Sequence, residues 1–158
     1  MRTDPPNIAS HPLLIEPQPS YLDGWRWMVG QYATLLAASV AGDLFFRDRD
    51  GRVHWIDTGA GNVTMVADDA ASFARKLLTA EFSGDFLLES AVNDALRAHG
   101  PLGAGRCLGF KKLPVFGGDY GGVNRVPMSA GEHFAFTGHV HHKIDGLPDG
   151  TAVELVTL

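Results

Sequence analysis

The hydrophobic pattern changes its period along the chain. In "RVHWID" Val53, Trp55 and Asp57 point one way and His54 and Ile56 the other, the two-residue repeat of a strand. "DLFFRD" precedes it, and the two segments flank Asp50-Gly51. Asp-Gly is a strong short hairpin signal, and a type I′ turn with positive φ at both central residues is expected there. Upstream, "YATLLAASVAG" is short, apolar and bounded by glycine, which favours a strand beside this hairpin. Downstream, "DTGAGNV" makes a second turn and "NVTMVAD" a third strand of the same meander.

The period then lengthens to that of a helix. "DAASFARKLLTAEF" is expected as one helix capped by Asp68 or Asp69, with Phe73, Leu77 and Ala80 as its buried stripe and Ala74 and Leu78 beside it. "SGDFLLESAVNDALRAHGP" reads as a second, capped by Ser83 or Gly84. Its apolar face is Leu88, Val92 and Leu96 with Leu87, Ala91 and Ala95, and Gly100-Pro101 ends it. Before the strands, "SYLDGWRWMVG" suits a short helix with Ser20 as cap and Gly30 as stop. After the helices, "GRCLGFKKLPVFGG" is extended and "GGDYGGVN" a loop. "RVPMSAG" suits an edge strand, because Pro127 cannot donate to a ladder. "EHFAFTGHVHHKI" fits either period; the "DGLPDG" that follows favours a helix, on which Phe136, Val140 and Ile144 align with His133. "TAVELVTL" alternates like a last strand. Strands in one block and helices in another predict an α+β fold: an antiparallel meander with an Asp-Gly hairpin, packed against helices.

The chain has 158 residues, enough for one domain with its own core. Residues 1–20 hold five of the nine prolines and read as an N-terminal arm, leaving 21–158 as a single domain. The net charge of −5 argues against a nucleic-acid partner bound through phosphates. No stretch is long and apolar enough for a membrane span or a signal segment, and the single cysteine, Cys107, excludes an intrachain disulfide. A cytoplasmic protein is expected.

Four clusters are candidates for chemistry. Asp48 and Asp50 sit where a calcium loop would begin, but that loop needs an oxygen ligand at position 5, glycine at 6 and glutamate at 12. Counted from Asp48, glycine falls at position 4, Arg52 at 5 and Gly59 at 12, and Arg47, Arg49 and Arg52 would repel a cation. His133, His139, His141 and His142 lie close together, yet on a helix only a pair such as His139 and His142 could pinch one ion, and no HExxH occurs. "FGGDYGG" leads into no helix and no lysine follows, unlike a phosphate cradle. Cys107 has no nucleophile motif around it. From these residues alone, no catalytic machine, cofactor or metal site is expected.

The order of the pieces says more. "W-x-W-x-x-G", then "A-G-D-L-F-F-x-D-x-x-G-x-V-H-W-I-D", then two helices, then "G-x-C-L-G-F-K-x-x-x-x-x-G-G-D-Y" resembles the C-terminal domain of type VI secretion DNase-immunity proteins, within the SUKH-like immunity superfamily. Gly42, Asp43, Leu44, Phe45, Gly51 and Val53 match the first block; Cys107, Gly109, Phe110, Gly117 and Gly118 match the second. Ala41 stands where the family often has an aromatic residue, and Leu108 replaces its usual tyrosine. The resemblance spans most of residues 22–155 and implies a SUKH-like fold and a non-enzymatic protein that neutralises a cognate toxin, such as a nuclease effector, by covering it. Asp48 and Asp50 at the hairpin tip, with Asp119 and Tyr120 in the late loop, are the candidate toxin contacts. The alternatives are a histidine-dependent metal protein or enzyme built on His139 and His142, and a housekeeping ligand-binding domain of the same fold. Exposed strand edges also leave a homodimer open.

Overall fold

The computed structural model describes residues 10–153. Five antiparallel strands form a sheet in the order β1-β2-β3-β4-β5: Leu14–Ile15, Thr34–Ser39, Leu44–Arg47, Val53–Asp57 and Asn62–Ala67. Then come three helices, α2 (Ala70–Lys76), α3 (Ala80–Phe86) and α4 (Glu89–His99). A separate antiparallel pair follows, β6 (Arg106–Phe110) with β7 (Arg125–Ser129), and α5 (Ala130–Ile144) comes last. A one-turn helix α1 (Arg26–Val29) continues a 3-10 stretch, Pro19–Trp25. The fold is α+β, as the blockwise order of strands and helices predicts.

Both faces of the sheet are covered. Phe45 and Val53 pack on one side with Phe73, Leu77, Phe82, Leu87 and Val92 of the α2–α4 region. Leu44, Phe46 and Ile56 pack on the other with Leu22, Trp25, Ala130 and Phe134. This explains "LFF": neighbours point to opposite faces, and each face has its own core, so no polar position interrupts the run. On the second side α5 comes very close to the 3-10 stretch. A Cβ on Gly138 would strike the Gly24 carbonyl, so only glycine allows this approach.

Several expectations need correction. The segment 69–82 is two helices, because the Thr79 side chain accepts from the Phe82 N–H at 3.2 Å and starts a new one. Leu78 falls in the break and is 70% exposed. Ser83 is a buried residue within α3, not a cap; α4 starts after Leu88, which holds φ 52°. Asp69 does cap α2, accepting from the Ser72 N–H at 2.7 Å. Gln18, not Ser20, precedes the first helical stretch, which Pro19 opens. The Asp50-Gly51 hairpin forms, but not with a type I′ turn. Gly51 N–H donates to the Asp48 carbonyl and Asp48 N–H to that of Arg52, and within the tip only Gly51, at φ 86°, is left-handed. That is a type I turn closed by a glycine bulge. On α5 the buried face is His133, Phe134, Thr137, Val140 and His141, whereas Phe136 is 42% exposed. Of "TAVELVTL", residues 151–153 have no regular structure and the rest lies outside the described residues.

Candidate functional site

The chain carries two polar clusters, one sealed between elements and one at the hairpin tip, with a rigid loop near the first. The sealed cluster begins where β3 begins. Gly42 turns the chain with φ 85°, and its missing side chain makes room for His133, whose Nε2 a Cβ would approach to 2.6 Å. His133 Nε2–H donates to the Gly42 carbonyl at 2.8 Å. The Thr58 hydroxyl reaches the same carbonyl at 2.6 Å and Asp43 Oδ1 at 3.1 Å. Asp43 also accepts from the Thr58 N–H at 3.0 Å and from the Trp55 indole at 3.2 Å. His141 Nε2–H donates to the Thr58 carbonyl at 2.9 Å. Asp57 accepts from the Gly59 and Ala60 N–H groups and, at 2.9 Å, from the Tyr120 hydroxyl.

Arg125 crosses this cluster from β7. Its Nη1 donates to the Ala41 carbonyl at 2.7 Å, its Nε donates to that of Tyr120 at 3.2 Å, and its guanidinium lies 4.0 Å from the Phe110 ring centroid. Asp43, Arg125 and His133 are 2%, 1% and 2% exposed, so a substrate does not reach them. Burial, then the nearby Asp57, pushes the Asp43 carboxyl up to about 7. Burial pulls His133 down to about 4, so it is neutral at physiological pH. Cys107 is fully buried, and burial followed by Asp43 pushes its thiol up to about 12, the opposite of an activated nucleophile. This cluster can join β3, β4, β7 and α5; it is not arranged to turn over a ligand.

The hairpin tip is organised by Asp48. Its Oδ1 accepts from the Asp50 and Arg52 N–H groups at 2.9 and 3.0 Å, and its Oδ2 from His54 Nε2–H at 2.7 Å. The His54 hydrogen bond is the main reason its carboxyl sits below the usual carboxylate value. Asp50 pairs with Arg52 at 3.5 Å on the open surface. Arg49 lies 4.5 Å from the centroid of Tyr32, which the β2–β3 pairing brings beside the tip.

The late loop is held just as firmly. Asn124 donates to the carbonyls of Lys112 and Asp119 at 2.8 and 2.7 Å and accepts from the Lys112 N–H. A Cβ on Gly118 would collide with the Lys112 carbonyl. Tyr120 points inward to Asp57, and burial followed by that carboxylate raises its pKa. Asp119 stays exposed, accepting from the Gly121 N–H at 2.9 Å, and Val123 is 88% exposed.

Of the sequence-derived contacts, then, Asp50 and Asp119 face solvent while Asp48 and Tyr120 shape the loops that carry them. Asp48 and Asp50 lie in one loop, Asp119 and Tyr120 in another. The motif glycines Gly42, Gly109 and Gly118 mark close approaches, Gly109 to Met128 and His133. Leu44, Phe45 and Phe110 are core. Of the histidine pair, His139 is half-buried and His142 is exposed, stacked on Trp27 with ring centroids 4.6 Å apart. Among the described residues no group of three His, Cys, Asp or Glu side chains is placed to hold a metal ion, and no helix is long and apolar enough to cross a membrane. Arg125 and Thr58 escaped the sequence reading. One arginine among the small and apolar residues of "NRVPMS" gives no signal until Asp43 and Asp57 are brought to it.

In fold the chain is similar to the crystal structure of Atu4351 from Agrobacterium tumefaciens, with a TM-score of 0.56 and 19% identity over 82% of this chain and 68% of that one. No curated protein matches the chain in sequence. Residues 67–141 match the family model described as T6SS immunity protein Tdi1, C-terminal, a stretch that includes the block from Cys107 to Tyr120 but not the one from Gly42 to Gly51, and over that stretch the chain is similar to a type VI secretion immunity domain.

Proposed function

We propose that this protein binds and neutralises a cognate bacterial toxin, a nuclease effector, in the cytoplasm and without catalysis of its own. The family match over residues 67–141 carries the reading. The arrangement of polar groups supports it. The buried carboxylates, histidines and arginine bond to backbone and to the Thr58, Trp55 and Tyr120 side chains, and exposed polar groups stand on two loops held by their own hydrogen bonds. Asp119 makes a direct contact in this reading, with Asp48, Asp50 and Tyr120 holding the two loops in shape. Rigid loops lose little entropy on binding, which favours a tight stoichiometric inhibitor.

Co-expression with the effector encoded beside its own gene tests this. A complex that survives gel filtration, and loss of the effector's DNA cleavage at one equivalent of inhibitor, are expected. An effector that neither binds the purified protein nor loses activity in its presence would end the proposal.

A further inference from the structure

The chemistry displayed at the hairpin tip differs from what its count of acids suggests. Every carboxylate oxygen of Asp48 is engaged within the turn, and Asp50 is balanced by Arg52. Arg47 and Arg49 make no ion pair with either of them, and both are exposed. Arg49 is held against Tyr32, itself 57% exposed. Arg47 pairs across the ladder with Thr34, an uncharged neighbour. A molecule of net charge −5 thus presents, at this exposed turn, two unpaired arginines beside an aromatic ring.

We propose that this tip, Arg47 and Arg49 beside Tyr32, is the docking surface for the toxin, and that its counterpart there is a cluster of carboxylates. The inference rests on the toxin-binding role proposed above and names the chemistry of that contact. Arginine and tyrosine carry much of the energy of protein interfaces, because each buries a large planar surface and still offers hydrogen bonds. A guanidinium fork matches a carboxylate in two parallel bonds. The turn is already fixed by the Asp48 bonds and the Tyr32 stack, so docking immobilises little further. Carboxylates gathered in one pocket are what a metal-dependent nuclease needs to hold its ions, so a tip of this kind fits the catalytic cleft of such a toxin. Nucleic acid is the competing anion. The net negative charge and the small size of the patch disfavour it, since phosphate binding grows with the number of cations engaged.

The test uses the whole protein and the purified effector encoded beside it, with binding measured by calorimetry at low and at moderate salt. Reversal at two positions, Arg47→Glu with Arg49→Glu, is expected to weaken binding about 100-fold, Tyr32→Ala about 10-fold, and the wild-type affinity to fall as salt rises. Arg47→Gln with Arg49→Gln serves if the reversal disturbs folding, and an unchanged urea midpoint certifies each variant. If the wild type binds and both double variants bind equally well, the tip is not the docking surface, while the immunity reading stands. If the wild type does not bind the effector, both fall. Binding of a short DNA duplex by the wild type, lost in the double variants, would reassign the patch to nucleic acid and overturn the proposal.

Discussion

Asp43 and Asp48 stand at the two ends of β3 and are bonded alike. Each accepts two hydrogen bonds on one oxygen and one on the other, from Thr58 and Trp55 in the first case and from Asp50, Arg52 and His54 in the second. Yet burial pushes Asp43 up to about 7, while Asp48, in contact with water, sits below its usual value. The number of donors therefore does not decide what a carboxylate does in this fold. Water does. The dry end of β3 is committed to joining strands and helix, and the wet end keeps a turn in shape while its neighbours face outward.

The comparison is broken most severely at Arg125. Its guanidinium is a buried cation that interacts electrostatically with Asp43 and Asp57 and also ties β7 to the Ala41 carbonyl. Arg125→Met keeps the apolar stem and removes the charge and its bonds. A loss of about 3 kcal/mol or more is expected in urea unfolding, because the remaining partners stay buried without a counter-ion. The Gly24–Gly138 crossing comes next. In Gly138→Ala the added methyl meets backbone, which cannot rotate away, and a loss of about 2 kcal/mol is expected from the urea midpoint.

These two positions also show what could be read from the chain beforehand. The meander is a local pattern that periodicity finds, the hairpin is marked by its Asp50-Gly51 turn residues, and α5, which fits either period, is betrayed only by the turn residues that follow it. The Gly24–Gly138 contact spans more than a hundred residues, and each glycine alone resembles a helix breaker. Arg125 means nothing until Asp43 and Asp57 face it. The break at Thr79 was visible as a capping residue, but the apolar run across it hid the stop. At the tip the composition was plain in the sequence, while the split between engaged aspartates and free arginines depends on which way the turn folds, a matter of bulge geometry at Gly51.

The acid–base behaviour of the sealed end gives a third, smaller effect. Asp43 has a raised folded value, so the native state holds its proton more tightly than the unfolded chain does. Its contribution is present below 3.8 and is lost as pH rises towards about 7. His133 has a depressed value and acts in the reverse direction: the unfolded chain takes up the proton first, and stability is lost as pH falls from 6.5 to about 4. Between these limits the two slopes oppose each other. The Asp43 and His133 contributions to the wild-type urea midpoint are therefore expected to offset each other across that window. Asp43→Asn should expose the His133 slope, with midpoints falling towards acid, and His133→Asn the Asp43 slope, with midpoints falling towards neutrality. If neither variant's profile differs in slope from that of the wild type, the two groups do not titrate with folding.

The wet end should respond least, and with a different signature. Asp48→Ala frees the Asp50 and Arg52 N–H groups and the His54 ring, but all three remain within reach of water, so the cost is small, that of a lost cap rather than of a stranded charge. Because the folded Asp48 value is depressed, its contribution is complete above the ordinary carboxylate range and disappears as pH falls through the folded value. The gap between wild type and Asp48→Ala in urea midpoint is thus expected to be open at neutral pH and to close in acid, whereas the Asp43 contribution runs the other way, largest in acid and lost between 3.8 and about 7. The same variant loosens the turn that holds Arg49 against Tyr32 and should weaken effector binding by about 10-fold, more than its stability loss alone would cause in a protein still fully folded. A gap that persists unchanged into acid would show that Asp48 supports the turn by its shape and not its charge, and an unaltered effector affinity would separate the order of the tip from its use.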